Sequence, residues 1–514
     1  VKGGDNAVPR VIVAKAPPVV WTVVAPLVVA LGYWWFRALD GFNPTDDGFV
    51  LAQSWRVLQG QTIHVDFTSP RPMGSAFLHV PDVLSPWGTL AISRLIVVLQ
   101  QMWIASATVA MVDVGRRLTP VQRFLLVVLA FALNTGVWPV MAWHTIDGIF
   151  VGITALWLTQ RGPLEGRGAQ LRYLAAWLLA GTAPLMKQGF LLVPVFVALL
   201  LVVSGQRRGL FFAPVALVSP LAYLAAADGE WALIADQLYR GKTSELLIPV
   251  QQFWSVVASD IGLATVALTA VVCAVTLRPW SMVARRPLAR SLGAAVLVAP
   301  TAMVGAADGF AIGVPRWAFI AAITLTTVGI WLLGCWRQVA LAVTLLGLAY
   351  AASASWGVQG PGLLAGSMVA TASGFVLLGP EQRADSQSAM AAVRGAALVL
   401  AVPAVVVGVL VLAAFDRSVY REGPRSGIVA TSELPSLAGI RMTEQSASFL
   451  ARLDECVDDA GTTTVALIPG GAGIYPLLRV TSPFDVDWWL PVEYPPDIGL
   501  RTGVDIGRLN AESD

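Results

Sequence analysis

The stretch "VVWTVVAPLVVALGYWWF", Val19 to Phe36, decides the fold class. It is apolar without interruption, and at about 1.5 Å of rise per residue a helix of that length nearly spans a hydrocarbon core of about 30 Å. Runs of similar length recur along the 514 residues. The chain is 56% hydrophobic and only 13% charged, against roughly 25% charged in an ordinary soluble domain, and its mean hydropathy is +0.69. A β-barrel needs short alternating segments, whereas helices satisfy their own backbone groups in lipid. The sequence therefore reads as an α-helical polytopic membrane protein.

Working outward from the first run, windowed hydropathy predicts about thirteen transmembrane helices. They cover Val19 to Phe36, Ala91 to Val112, Val121 to Trp138, Ile146 to Thr159, Leu171 to Met186, Gly189 to Val203 and Leu210 to Ala227. Six more follow at Val256 to Leu277, Ser291 to Ala306, Trp317 to Gly334, Gln338 to Ser353, Pro361 to Gly379 and Gly395 to Phe415. The division of the fifth from the sixth falls at "LMKQGF". No small-residue cleavage site follows the first run, so it reads as a retained helix preceded by a basic tail.

Positive residues are retained on the cytoplasmic side. With the N-terminus inside, Arg116, Arg117, Arg123, Arg161, Arg207, Arg208, Arg285, Arg286 and Arg337 all fall inside. An odd number of crossings then puts the tail outside. The chain divides into a membrane domain, 1–415, and an extracytoplasmic domain, 416–514, in a plasma-membrane protein with its N-terminus in the cytoplasm. The outer face carries the long loop 37–90, the short "PVMAWHTID", the turn at Lys187 and the loop containing "LYRGKTS", so the chemistry is expected outside. In the tail, "TEQSASFLARLDECVDDAG" predicts a helix capped by Thr443 with apolar Phe449, Leu450 and Leu453, and "TTVALI" a strand, giving a small α/β domain.

Other classes are excluded by what is scattered. A net charge of +2 with no basic patch interleaved with aromatics excludes a nucleic-acid partner. Cys273, Cys335 and Cys456 form no CxxC motif.

The first outer loop contains "FNPTDDGFVLAQSWRVLQGQTIHVDF", Phe42 to Phe67. Its punctuation predicts a short surface helix: Thr45 as cap, Asp46 and Asp47 in the first turn, Gly60 at the end. Leu51, Trp55 and Leu58 share one face at i, i+4, i+7, which suits the membrane interface, with Gln53, Arg56 and Gln59 facing water. The aspartates at the positive end of the helix either stabilise the first turn alone or act as a base at neutral pH.

Here the sequence resembles the GT-C glycosyltransferases, polytopic enzymes that transfer sugars from polyprenyl-phosphate donors on the outer face. The resemblance is carried by one helix followed by "TDDGFVLAQSWRVLQGQTIHVDFTSPRP", with Asp46, Asp47, Gly60, Asp66, Phe67, Pro70 and Pro72, by "PLMKQGFLLVP" around Lys187, and by the tail from "LAGIRM" to "IYPLLRV". It spans the chain in layout. It implies a GT-C-like membrane domain whose first loop, 37–90, is catalytic. The implied activity is inverting transfer of a hexose or pentose from a polyprenyl-phosphate sugar to a cell-envelope glycan or glycolipid, with membrane lipids as surroundings. The family's second acid is often Glu where this chain has Asp47, so either aspartate remains a candidate base. An Arg-rich, Lys-poor composition, with four lysines against thirty arginines, suggests a high-GC bacterium such as an actinobacterium, where arabinofuranose or mannose donors are expected.

Displacement at an anomeric carbon needs a carboxylate to take the acceptor's proton and a cation to steady the leaving phosphate. Asp46 or Asp47 is the candidate for the first. Lys187, a rare lysine in a tight outer turn, is the candidate for the second, or else it snorkels from a hairpin. Arg316, Arg240 and Lys242 are further phosphate candidates, or solvated and headgroup-facing charges. His64, Asp66, His144 and Asp147 are candidates for acceptor or sugar binding. His64 and His144 with Asp46 and Asp66 make a chemically plausible divalent-metal set, but no ligand spacing supports it, and no cofactor beyond the lipid donor is assigned. Trp138, Trp143, Trp488 and Trp489 either stack on sugars or sit at the membrane interface. Two rivals stand beside this reading: a transporter or flippase, which should place ionisable residues near mid-membrane where most helices here have none, and an outer-face glycan ligase using a diphosphate-lipid donor, which would share the topology.

Overall fold

A computed structural model describes residues 19–115, 117–136, 139–160, 166–239, 248–277, 287–308, 316–353, 362–379, 419, 422–467 and 470–487. The fold is helical. The first apolar run forms α1 (Ala25–Tyr33), flanked by π-helical turns at Val20–Val24 and Trp34–Ala38. The first loop then folds into α2 (Phe49–Leu58), α3 (Gly74–Leu78) and α4 (Val80–Leu84). Five helices follow: α5 (Thr89–Val112), α6 (Pro120–Thr135), α7 (His144–Gln160), α8 (Arg167–Met186) and α9 (Val193–Val203). A 3-10 stretch at Arg207–Leu217 leads into α10 (Val218–Ala226), then α11 (Trp231–Tyr239). Next come α12 (Ile248–Val257), α13 (Asp260–Thr276), α14 (Pro287–Asp308), α15 (Arg316–Trp331), α16 (Trp336–Ser353) and α17 (Ala365–Leu378).

Helices thus lie over every predicted segment from Val19 to Gly379, while Gly395 to Phe415 lies outside the described residues. Among the described residues, three are long and apolar enough to cross a membrane: Val20–Ala38, Thr89–Val112 and Arg207–Ala226. Gln251–Val257 and Asp260–Thr276 pass the same test as a pair bent by 73°. The bend has a local cause, because Ser259 leaves the helix and caps α13 by accepting from the Gly262 amide at 3.2 Å. The division at "LMKQGF" is real: α8 stops at Met186, Lys187 is extended, and a 3-10 turn at Gln188–Leu192 starts the next helix.

The helices pack through small residues and paired polar groups. A β-carbon added at Gly148 of α7 would sit 2.0 Å from the Phe190 ring, and one at Gly366 2.2 Å from the Ala130 carbonyl. Buried Asn134 donates to Ser367 Oγ at 3.0 Å and accepts from the Ser367 amide at 3.2 Å, tying α6 to α17 with no polar atom of that pair left over at the contact.

The tail holds α18 (Glu444–Ala460) and α19 (Ile474–Leu478). Thr443 caps α18 by accepting from the Ser446 amide at 3.2 Å, and Leu450 is buried, although Phe449 is exposed. The described sheet is smaller than "TTVALI" suggested. It has two strands, β1 (Ala430–Thr431) and β2 (Arg441–Met442), antiparallel. Of the predicted strand, Thr464 makes an isolated bridge to Thr481.

The surface-helix expectation needs correction. Helix α2 begins at Phe49 after Gly48, so Asp46 and Asp47 precede its first turn and Thr45 is not its cap. Gln53 and Arg56 are buried rather than facing water, and Leu58 is the exposed one. The reason is that the tail covers that face. Arg56 Nη2 meets Asp487 Oδ1 at 2.8 Å and the Phe484 carbonyl at 2.6 Å, and Trp55 Nε1 donates to the Val480 carbonyl at 2.9 Å. Gly60 does close the helix, at φ +83°.

Candidate active site

The acidic stretch is fixed from two sides. From the helices, Arg94 of α5 donates to the carbonyls of Ala38 at 2.9 Å and Gly41 at 2.7 Å and to Asp47 Oδ2 at 2.8 Å. From the tail, the Gly473 amide donates to the Pro44 carbonyl at 2.7 Å, and the Gly41 amide to the Arg441 carbonyl at 2.7 Å. The approach is so close that a β-carbon on Gly48 would lie 1.7 Å from Gly473 Cα. Only glycine fits there. Between these anchors Asn43 organises the turn: its Oδ1 accepts from the amides of Thr45 and Asp46, each at 2.9 Å, while its own amide donates to Asp47 Oδ2 at 2.8 Å.

Both aspartates are held within this turn. Asp47 is 5% exposed and Arg94 4% exposed, and one carboxylate oxygen takes both the guanidinium and an amide. Asp46 is also buried, at 2% exposure, with its backbone amide held by Asn43.

His144 and Asp147 join this region through the start of α7. The Phe49 ring, two residues past Asp47, stands 6.3 Å from His144 edge-on and 5.9 Å from Trp143. One turn on, Asp147 Oδ1 accepts from Gln100 Nε2 at 2.9 Å and bonds His79 Nε2 at 3.1 Å, while His79 Nδ1 bonds Asp82 Oδ2 at 2.7 Å. Burial opposes charge on His79, yet the Asp147 and Asp82 carboxylates prevail and push its imidazole up to about 10. The protonated ring ties the first loop to Asp147 of α7, which Gln100 joins to α5.

Lys187 lies under the other edge of the loop. It is 1% exposed, and its Nζ donates to the Ala352 carbonyl at the end of α16. Next to it, Gln188 Nε2 donates to the Pro70 carbonyl at 3.0 Å, and a β-carbon at Gly74 would meet the Leu185 carbonyl at 2.5 Å. The lysine does not snorkel from a hairpin; it is enclosed between loop and helices.

The remaining candidates make other contacts. His64 is buried at φ +63°, bonding Gln237 Oε1 and Tyr223 OH, each at 2.6 Å, with its proton affinity lowered by burial. It pins the loop to α10 and α11. Asp66 is exposed and accepts from the Thr62 amide at 2.6 Å, a turn contact. Arg316 is exposed at the start of α15, which packs on α13, α14, α16 and α17. Arg240, Lys242, Trp138, Trp488 and Trp489 lie outside the described residues. The metal set of His64, His144, Asp46 and Asp66 is not assembled, and among the described residues no three His, Cys, Asp or Glu side chains converge for an ion.

Four residues that carry this geometry, Arg94, Gln100, His79 and Asp82, were not among the sequence candidates. Arg94 and Gln100 stand in an apolar 24-residue helix, where an ionisable or amide side chain signals function or a buried partner. His79 and Asp82 stand at i, i+3 in "HVPD". Arg71, 7% exposed beside Pro70, is a further buried cation of the loop.

No protein-family model matches the sequence, and no curated protein matches it. Among solved structures the chain is similar to ArnT from Cupriavidus metallidurans in the apo state, with 14% identity and a TM-score of 0.47 over 90% of this chain and 84% of that one. It is also similar to ArnT from the same organism bound to undecaprenyl phosphate, with 15% identity and a TM-score of 0.45 over 90% of this chain and 85% of that one.

Proposed function

We propose that the chain is a membrane glycosyltransferase that moves a sugar from a polyprenyl-phosphate donor to a hydroxyl of an envelope glycan or glycolipid, with Asp46 as general base. The observation that carries this reading is the buried acidic turn that Asn43 organises, in which Asp47 pairs with Arg94 and Asp46, its neighbour in that turn, is assigned the proton transfer. In the step, the acceptor oxygen attacks the anomeric carbon as its proton passes to the Asp46 carboxylate. The bond from that carbon to the phosphate oxygen breaks, the electron pair leaves with the phosphate, and the configuration inverts.

Lys187 takes the donor phosphate in this reading. A lysine enclosed at 1% exposure is costly to charge, and a phosphate drawn to it stabilises the ammonium while the ammonium stabilises the leaving group. His144 and Asp147, at the start of α7, face the same loop and serve acceptor or sugar binding. The acidic loop and the tail lie on the outer face of the plasma membrane, with the N-terminus inside, as the basic loops of the sequence indicate.

The test is turnover by the full chain reconstituted in vesicles, supplied with polyprenyl-phosphate-linked arabinofuranose or mannose and a glycan acceptor. Appearance of a glycosylated acceptor with inverted anomeric configuration is expected. Transfer from a diphosphate-linked glycan alone moves the chain to the ligase reading, and lipid movement across the bilayer without any new glycosidic bond moves it to the flippase reading.

A further inference from the structure

At the end of the helices remote from the acidic loop, the structure holds a cavity that the proposed reaction does not use. Helix α5 starts beside that loop and runs 24 residues, about 36 Å at the usual rise; α7 likewise runs from His144 to Gln160. At their far ends lies a cavity of about 150 Å³, large against the roughly 10–15 Å³ that one water needs. Its polar lining is Arg117, Arg337, Gln160 and Gln338, and its apolar walls include Val112 and Phe375.

Arg337 is positioned rather than merely present. Arg337 Nε donates to Gln160 Oε1 at 3.1 Å, and Gln160 Nε2 is in turn anchored on Ser204 Oγ at 3.1 Å, so the guanidinium plane is set by α7. Arg290 of α14 reaches the Leu378 carbonyl at 3.4 Å on the cavity's edge, and its charge repels that of Arg117. Among the described residues no carboxylate lines the cavity. Asp113, on the loop that carries Arg117, is turned elsewhere: Oδ1 accepts from the amides of Arg117 and Leu118, and Oδ2 pairs with Arg123. Like charges gathered at a partly apolar hollow destabilise one another until an anion enters. The planar guanidinium fork fits phosphate oxygens in particular.

We propose that this cavity binds a phosphate group, carried by an anionic phospholipid headgroup at that membrane face or arriving as free phosphate. Basic pockets between helices with apolar walls suit the former, because the acyl chains continue along the helices while the headgroup meets the arginines.

The experiment uses the full chain purified in phosphatidylcholine nanodiscs. Two probes are applied, phosphatidylglycerol retained through native mass spectrometry and inorganic phosphate measured by equilibrium binding. The Arg117→Gln/Arg337→Gln variant is expected to lose at least about 10-fold in affinity for whichever probe binds, close to 1.4 kcal/mol. Arg117→Gln alone, at an exposed side chain that leaves Arg337 on Gln160, is expected to lose part of it, with Arg117→Lys falling between it and the parent. The thermal midpoint of each variant checks folding, and the single variant stands if the double one does not fold. Retained phosphatidylglycerol identifies a lipid source, and phosphate binding without lipid retention identifies a free one. Binding of neither probe, or undiminished binding by a folded Arg117→Gln variant, overturns the proposal.

Discussion

Arg94 Nη2 and Asp47 Oδ2 meet at 2.8 Å in a place where both side chains are almost wholly withdrawn from solvent. The same guanidinium binds the carbonyls of Ala38 and Gly41, so a single helix residue both holds the path of the acidic turn and pairs with one of its acids. Removing one member leaves the other's charge buried without compensation. Arg94→Ala is expected to destabilise the protein by roughly 3–5 kcal/mol, read as a lowered thermal midpoint. A midpoint unchanged from the parent would show that the pair does not hold the turn.

Lys187→Ala is expected to weaken donor binding by about 1.5–3 kcal/mol, the range for a hydrogen bond to a charged group, while acceptor binding changes little. Binding of a non-transferable polyprenyl-phosphate sugar measures it. Equal loss for donor and acceptor, with a lowered thermal midpoint, would mean that the bond from Lys187 to the Ala352 carbonyl is its whole role.

His79 gives a pH dependence of definite sign. Its imidazole moves from an ordinary 6.5 to about 10 on folding, so the folded state holds the extra proton. The stability it contributes is fully present below pH 6.5 and is lost as pH rises through about 10. Denaturation across that window is expected to show the parent losing stability more steeply than His79→Asn. Parallel curves would remove the charged histidine from the account.

Arg56 and Asp487 join the first loop to the tail in the same buried manner. Burial opposes the charge on Arg56, but Asp487 beside it raises its proton affinity above the ordinary value. Asp487→Asn is therefore expected to loosen the tail, increasing hydrogen exchange in α2, and to lower turnover through binding. A folded Asp485→Asn or Asp487→Asn variant that binds both substrates normally yet turns over nothing would relocate the base to the tail.

Much of the helical layout was legible because the apolar runs are long and few residues interrupt them; even the break at Lys187 followed from one charged residue between two such runs. The first loop was less legible. The pattern Leu51, Trp55, Leu58 suggested an interfacial helix, but a periodicity test cannot know that Asp487 and Phe484, more than four hundred residues away, will cover Arg56. The same holds for the site. Asp46 and Asp47 lie in the first loop, His144 stands against its Phe49 and Lys187 precedes Gln188, which bonds its Pro70, yet the residues that set the geometry of the acidic turn and of α7, Arg94, Gln100 and His79, come from elements whose contacts are long-range. His64 misled because an isolated histidine in a polar loop looks available, whereas Tyr223 and Gln237 occupy both ring nitrogens.

The central claim, that Asp46 is the base, is tested most directly by turnover of Asp46→Asn beside Asp47→Asn. The asparagine keeps the side chain's shape and removes its basicity, so Asp46→Asn is expected to lose about 10²-fold or more in turnover with folding and donor binding nearly unchanged. Asp47→Asn is expected to lose stability first and less activity, because its carboxylate serves Arg94. Normal turnover by a folded Asp46→Asn variant contradicts the account, and if Asp47→Asn is then the inactive one, the base is the aspartate that Arg94 holds.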